Sequence, residues 1–286
     1  MAVVLGAAKI LARYKNVLNG NIKTIFQPSE ENTGGAAKIV EAGGLKNPDV
    51  DVIITPHVWH DIPKGKLGLR PGPVMASSDL FMLKVDGVAG HGAWPHMAVD
   101  PLPVAAELIL ALQRIVSREI DPMIPACVSI GKMEYGTAAN VVSKSVAMHG
   151  TVRTFDLEAR DFIQKRIGEI AEGVARSARA SSTMEYVRVM PPLVNDPDFV
   201  EFSTDVLARA FGREAIVADY PATMGCEEFS VYLEHVPGLF LLLGSRDPKG
   251  PAVEIHNPKF LFPEECLPIG VRALCEIALN YSKTVY

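Results

Sequence analysis

Acidic and imidazole side chains occur at positions that suit hydrolytic chemistry at a metal. Glu30 and Glu31 are adjacent in "FQPSEENTGG", between an apolar run and a glycine pair, and His57 and His256 follow later in the chain. A hydrolytic metal site needs carboxylate and imidazole ligands, an open position for water, and a nearby acid that takes the proton of the water. Taken alone, two such glutamates also suit a solvated helix start, and each histidine also suits a structural role.

A second candidate is the glycine-rich segment "GVAGHGAWPHMAVDP", residues 87–101. Glycines on both sides of His91 allow the backbone to approach a ligand closely and present the imidazole on a tight loop. The alternative is a hairpin turn with an incidental histidine.

The elements around the acids alternate between strand and helix. Residues 1–16 are amphipathic at helical spacing, residues 21–28 and 51–58 have the pattern of strands, and residues 34–45 have that of a helix. This alternation predicts an α/β sheet covered by helices. Because ligands bind at the carboxyl ends of strands in such sheets, we expect both glutamates and His57 to lie at one edge.

The middle of the chain has a different order of elements. Strands are predicted at residues 80–88, 126–133, 144–155 and 183–189, and helices at residues 103–118 and 157–178. The resulting β-α-β-β-α-β order is that of a ferredoxin-like unit. We therefore expect a second domain at residues 77–190, inserted between residues 1–76 and 191–286, where the α/β pattern resumes.

Composition excludes several classes of protein. The chain has 286 residues, is 48% hydrophobic and carries a net charge of -5, which describes a globular protein without a basic surface for nucleic acid. Its apolar runs are shorter than the roughly 20 residues of a membrane span. Four cysteines without metal-ligand spacing, and no secretory leader, predict reduced thiols in the cytoplasm.

Eight motifs together resemble one family. They follow one another along the whole chain as "IFQPSEE", "HVW", "LGLRPGPVMASSD", "GHGAWPHMAVDP", "GTAANVV", "GTVRTFD", "MGCEEF" and "IHNPKFLF…LP". In this order they resemble the metal-dependent amidohydrolases and metallopeptidases that include hippurate hydrolase, N-acyl-amino acid hydrolases and plant auxin-conjugate hydrolases. The resemblance implies a zinc-exopeptidase-like catalytic domain with a mixed sheet and a ferredoxin-like lid and dimerisation domain.

The resemblance also implies roles for the candidate residues. Glu30 matches the general base that takes a proton from the attacking water, and Glu31, His57 and His256 match metal ligands. The implied cofactor is a divalent metal, zinc or manganese, in a site that holds two metals in the complete enzyme. Carboxylate and imidazole ligands bind both zinc and manganese, so the ligand types do not distinguish the two metals.

Further residues are implied in the inserted domain. His91 matches a histidine that stabilises the oxyanion, typically in the site of the partner subunit of a homodimer, and Asn140 and Arg153 match contacts to the carboxylate or carbonyl oxygen of the substrate. A charge on an exposed strand face is the alternative role for Arg153.

The implied reaction is hydrolysis of the amide bond of an N-acyl amino acid to a carboxylic acid and an amino acid. Relatives place a segment of the type Gly-Cys-Gly-His-Asp, with further metal ligands, ahead of the helix that opens this sequence. The alternative function is therefore a non-catalytic remnant of the family that binds a small ligand or a partner. We expect no nucleic acid or membrane among the partners.

Overall fold

The computed structural model describes residues 1–250 and 252–282 and divides into two compact units. The first unit combines Met1–Val74, Leu193–Thr223 and the chain from Glu227 onward, and the second combines Met75–Pro192 with Met224–Cys226. The predicted second domain, residues 77–190, falls inside the second unit.

Helices and strands alternate along much of the chain. The helices are α1 (Ala2–Leu11), α2 (Gly35–Glu41), α3 (Pro101–Arg114), α4 (Leu157–Ser177), α5 (Pro197–Phe211), α6 (Ser230–Leu233) and α7 (Cys266–Tyr281). The strands are β1 (Ile53–Pro63), β2 (Leu67–Gly68), β3 (Gly72–Met75), β4 (Ser78–Asp86), β5 (Gly90–His91), β6 (Ala126–Tyr135), β7 (Val141–Val142), β8 (Ser145–Thr154), β9 (Ser181–Met190), β10 (Leu193–Asn195), β11 (Ile216–Val217) and β12 (Gly238–Arg246). Over the described ranges, none of these helices has the length and apolarity needed to cross a bilayer.

The first unit is built on a mixed four-stranded sheet in the order β1-β12-β2-β11. Strand β12 is buried along nearly its whole length, because its run "GLFLLLG" places apolar residues on both faces. It pairs in parallel with β1, from Ile53 opposite Gly238 to Trp59 opposite Gly244, and antiparallel with β2. The α/β class predicted from the sequence is confirmed in this mixed sheet.

Helix α1 covers one face of this sheet. Its buried residues Val3, Ala7 and Leu11 recur every four positions, so they lie on one side of the helix. They join the core formed by β12 and α7, which contributes among others Leu239, Leu241, Leu243, Ala273 and Ile277. Each large apolar side chain buried in this way contributes about 1.5–3 kcal/mol to the free energy of folding. The contact of α1 with this core is therefore a main source of stability.

Two local predictions around the site are wrong. Residues 21–28 form no strand, because among the described residues the backbone of 21–27 hydrogen-bonds to no other backbone group, and an extended segment becomes a strand only by pairing. The segment is held instead by Lys23, whose Nζ donates to the carbonyls of Lys46 and Pro48. His57 is not at a strand end either, since β1 continues to Pro63.

The second unit contains an antiparallel sheet in the order β6-β8-β4-β9. Strand β8 alternates strictly between buried and half-buried residues, with Val146, Met148 and Val152 facing the core. Helices α3 and α4 contribute the other side of this core, where Leu108 and Ile163 are fully buried. The six long elements predicted between residues 80 and 189 are all present, with ends that shift by a few residues.

A buried ion pair joins three elements of the second unit. Asp79 on β4 is fully buried and Arg160 on α4 is 5% exposed. Arg160 Nε donates to both carboxylate oxygens of Asp79 at 3.1 and 3.0 Å, and its Nη2 donates to the Met190 carbonyl on β9 at 3.0 Å. The Tyr186 hydroxyl donates to Asp79 at 2.7 Å, and burial together with Asp79 raises the pKa of Tyr186.

Removal of one partner from this pair should destabilise the protein strongly. We expect Asp79→Ala to lower the free energy of unfolding by about 3–5 kcal/mol, because the Arg160 guanidinium is left buried and unpaired. Urea denaturation followed by circular dichroism measures the loss. The control is Glu172→Ala, which removes an exposed helix pair with Arg176 and should cost about 0.5 kcal/mol or less. Equal effects of the two substitutions would contradict the role of the buried pair.

Candidate functional site

The adjacent glutamates lie on a single turn of 3-10 helix, Glu30–Asn32. Ser29 precedes the turn with φ 58° and Thr33 follows it with φ 60°, values that are uncommon for residues other than glycine. The Asn32 N–H donates to the Ser29 carbonyl at 3.2 Å, and the Thr33 N–H donates to the Glu30 carbonyl at 3.3 Å. We call residues 29–33 the acidic loop, a tight and strained turn that carries two carboxylates.

His57 lies on β1 with a side chain that is 35% exposed. Its ring stacks on Phe240 with centroids 5.5 Å apart, and burial lowers its pKa, so the neutral form is favoured. Nδ1 lies 2.7 Å from the Val58 carbonyl, which can only accept, and therefore carries the proton. This tautomer leaves the lone pair of Nε2 free to bind a cation.

Glu30 has the perturbed titration expected of a general base. Burial raises its pKa from 4.5 to about 7, and the negative charges of Glu227 and Glu31 act in the same direction, while His57 opposes them. A carboxyl group with a pKa near 7 both accepts and releases a proton at neutral pH.

Two further acids belong to this cluster and were missed by the sequence analysis. Glu227 is 8% exposed, its Oε2 lies 3.9 Å from Nε2 of His57, and burial raises its pKa. Glu228 is 1% exposed and accepts hydrogen bonds from Gln27 and from the Gly34 N–H. The available signal was "MGCEEF", where a second pair of adjacent acids repeats the pattern of the first.

His256 lies beside the acidic loop on the surface. Its Nδ1 is 4.0 Å from Oε1 of Glu31, and the two side chains are 78% and 72% exposed. The positive form of His256 and the charge of Glu31 both influence the pKa of His57. The first unit therefore brings together all four site residues that the sequence analysis predicted outside the inserted domain.

The residues present fit a divalent cation in their chemistry. The negative charges of Glu227, Glu31 and Glu228 add to burial in raising the pKa of Glu30, whereas His57 lowers it. Carboxylate oxygen and imidazole nitrogen are suitable ligands for zinc and manganese. Across the described residues, however, no three His, Cys, Asp or Glu side chains are placed so that they could hold a metal ion. The cluster therefore has the ligand types without a closed coordination sphere.

A cavity of about 610 Å³ extends from the charged cluster along the first unit. Glu30, His57 and Glu227 line it together with many apolar side chains. The apolar part includes Ile54, Phe199, Phe229, Leu274 and Ile277. Glu30, His57 and Glu227 thus line a cavity whose wall is largely apolar.

The second unit brings two of its three predicted site residues together. His91 lies on β5 opposite Val141, and the Gly92 N–H donates to the Asn140 carbonyl at 2.8 Å. Arg153 lies on the long strand β8 and is half-buried, and its Nη1 is buried without a hydrogen-bond partner among the described residues. This unpartnered nitrogen has the capacity to bind an additional acceptor.

A perturbed acid beside carboxylate and imidazole groups is typical of metal-dependent hydrolases, and the fold agrees with that class. The chain superimposes on the Bacillus subtilis YXEP protein, a dinuclear metal binding peptidase, with a TM-score of 0.84 at 31% identity. The match covers 99% of this chain and 71% of that one.

The chain belongs to peptidase family M20/M25/M40, whose model matches residues 1–280. It is 36% identical to IAA-amino acid hydrolase ILR1-like 4 of Arabidopsis thaliana, over 98% of this chain and 64% of that protein. It is 34% identical to the N-acetylcysteine deacetylase of Bacillus subtilis, over 99% of this chain and 72% of that protein. The chain thus spans 64% of the plant relative's length. The resemblance predicted from the eight motifs is confirmed.

The raised pKa of Glu30 predicts a specific pH dependence of stability. Since the carboxyl group has a pKa of about 7 in the folded protein against its usual 4.5, the folded state binds a proton more tightly between these values. The contribution of Glu30 to stability is therefore complete below about pH 4.5 and is lost as the pH rises to about 7. Denaturation with urea and a chelator should show a larger loss in the unaltered protein than in Glu30→Gln, where Glu227 still has a raised pKa. If the free energies of unfolding of the two proteins changed with pH in parallel, the raised pKa of Glu30 would be contradicted.

Proposed function

We propose that this protein hydrolyses the amide bond of N-acyl amino acids with the help of a divalent metal. The observation that carries the proposal is the cluster in which Glu30, Glu31 and His57 interact on the first unit. Membership of the M20/M25/M40 family supports the reaction class.

The names of two relatives support the class of substrate. One relative is an IAA-amino acid hydrolase and the other an N-acetylcysteine deacetylase, and both names describe an acyl group joined to an amino acid. The cavity beside Glu30 and His57 is lined largely by apolar side chains, which suits an uncharged acyl group. Which acyl group binds depends on the packing of that lining.

Glu31, His57 and His256 are the residues that we propose as metal ligands. The proposed metal is zinc or manganese, as part of a two-metal site in the complete enzyme. When bound, such a cation polarises the carbonyl group and lowers the pKa of water. The neutral tautomer of His57, with Nδ1 engaged by the Val58 carbonyl, leaves Nε2 available for this role.

Glu30 is the proposed general base. Its carboxylate takes one proton from water while the water oxygen bonds to the amide carbon. Glu30 then gives the proton to the amide nitrogen, the C–N bond breaks, and a carboxylic acid and an amino acid are released. A pKa of about 7 suits both transfers at neutral pH.

For the second unit we propose the role of a ferredoxin-like lid and dimerisation domain. His91 is the proposed oxyanion donor, and Asn140 and Arg153 are the proposed contacts to the substrate oxygen atoms. The unpartnered Nη1 of Arg153 supports its assignment. Formation of a homodimer and a cytoplasmic location stay predictions from the sequence.

Hydrolysis should depend on Glu30 and require added metal. The full-length protein with Zn²⁺ or Mn²⁺ is expected to hydrolyse at least one of a panel of acetyl, benzoyl and indole-acetyl amino acids. Glu30→Gln should lower kcat by about 100-fold or more, because the proton acceptor is lost. Liberated amino acid measures turnover, and mass spectrometry of the eluted metal measures loading.

Control variants distinguish the role of the general base from that of the metal ligands. Glu30→Gln should keep its metal content near normal, whereas His57→Ala should lose metal and activity together. Glu41→Gln alters an exposed carboxylate at the end of α2 and should leave both unchanged. Full activity in Glu30→Gln would refute the proposed base, and a metal-loaded protein that binds the panel without hydrolysis would favour the non-catalytic alternative.

A further inference from the structure

One buried carboxylate holds the chain on both sides of the acidic loop. Gln27 donates from its Nε2 to Oε2 of Glu228, and Gly34 donates from its backbone N–H to Oε1 of the same carboxylate. Gln27 lies before the loop and Gly34 directly after it. The two oxygens of Glu228 thus connect the two ends of residues 29–33.

The burial of Glu228 makes these hydrogen bonds strong. The residue is 1% exposed, and a buried carboxylate is costly unless donors satisfy its oxygens. Bonds to a charged acceptor are roughly twice as strong as neutral ones. The charge of Glu228 also acts on Glu30, so a purely structural core position would be better occupied by a neutral side chain.

The acidic loop needs an external restraint. The positive φ angles of Ser29 and Thr33 are unfavourable for these residue types, and such conformations persist only where the surroundings enforce them. A second contact indicates tight closure, since a Cβ atom at Gly35 would lie 1.8 Å from the Pro28 carbonyl oxygen. The chain before and after the loop is therefore pressed together at the point where Glu228 binds both sides.

We propose that Glu228 is a positioning residue whose carboxylate clamps both ends of the acidic loop and thereby fixes Glu30 and Glu31. The expected effect of Glu228 on catalysis rests on the proposed function. The clamp itself consists of the hydrogen bonds that Gln27 and Gly34 donate to Glu228. It gives Glu228 a role separate from that of Glu227, which faces His57.

Hydrogen exchange and binding of Mn²⁺ test the clamp without reference to turnover. In Glu228→Ala, exchange of the amides of residues 29–34 should rise about tenfold or more, while β12 and α5 keep their protection. The affinity for Mn²⁺, measured by calorimetry, should fall by about tenfold because Glu31 is no longer held in place. With an active substrate, kcat should fall by about 100-fold while KM changes by less than about threefold.

Two variants distinguish positioning from general stability. Glu228→Gln should restore most of the protection and affinity, since its amide oxygen accepts from Gly34 and its NH₂ group donates to a flipped Gln27 amide. Val206→Ala, at a buried position of α5, should lower the stability of the whole unit without selective loosening of the loop.

Three results would overturn the proposal. The first is unchanged exchange of residues 29–34 in Glu228→Ala, and the second is a uniform rise of exchange across β12 and α5. The third is a loosened loop with unchanged affinity for Mn²⁺. If the unaltered protein hydrolyses no member of the panel, the proposed function fails, and exchange together with Mn²⁺ affinity still decides the clamp.

Discussion

Repulsion among carboxylates is the interaction on which the site depends. Burial raises the pKa of Glu30 most, and the negative charges of Glu227, Glu31 and Glu228 raise it further, whereas His57 lowers it. A fold gains no stability from collecting like charges in a half-buried place. The arrangement is favourable only when a cation or a proton balances it, and this is why we infer a metal-dependent hydrolytic site rather than a structural cluster.

The scaffold holds these groups with hydrophobic and local backbone forces. The parallel register of β1 with the largely buried β12 places His57 opposite Leu242, and the His57 ring stacks on Phe240. Burial of β12 on both faces fixes that register, because a shift by one residue would turn every side chain to the opposite face. The acidic loop is not part of a sheet. Its conformation is held by the hydrogen bonds of its own turn and by those that Gln27 and Gly34 donate to Glu228.

Periodic segments were predictable from the sequence, and long-range pairings were not. Helix α4 and strand β8 carry regular apolar spacing, so their positions follow from local pattern alone. Residues 21–28 carry an equally apolar pattern, yet a strand forms only where a second strand offers its backbone, which local sequence does not reveal. The extension of β1 beyond His57 likewise follows from pairing with β12.

The site could likewise be predicted only in part, because some of its residues depend on long-range contacts. Glu30, Glu31, His57 and His256 were predicted because their types and spacing suit metal chemistry and because eight ordered motifs resemble one family. Glu227 and Glu228 were missed because their importance comes from burial and from contacts to residues about 170 to 200 positions away in the chain. Adjacent acids in a loop do not reveal such contacts unless the fold is known.

Anomalous X-ray diffraction tests the central claim most directly. Crystals of the full-length protein grown with Zn²⁺ should show an anomalous peak at roughly 2.0–2.3 Å from side-chain atoms of Glu31, His57 and His256. Glu30 should lie beside this peak without binding it. Anomalous density that is absent from this cluster at saturating Zn²⁺, or that lies on other residues, would contradict the assignment of the metal site.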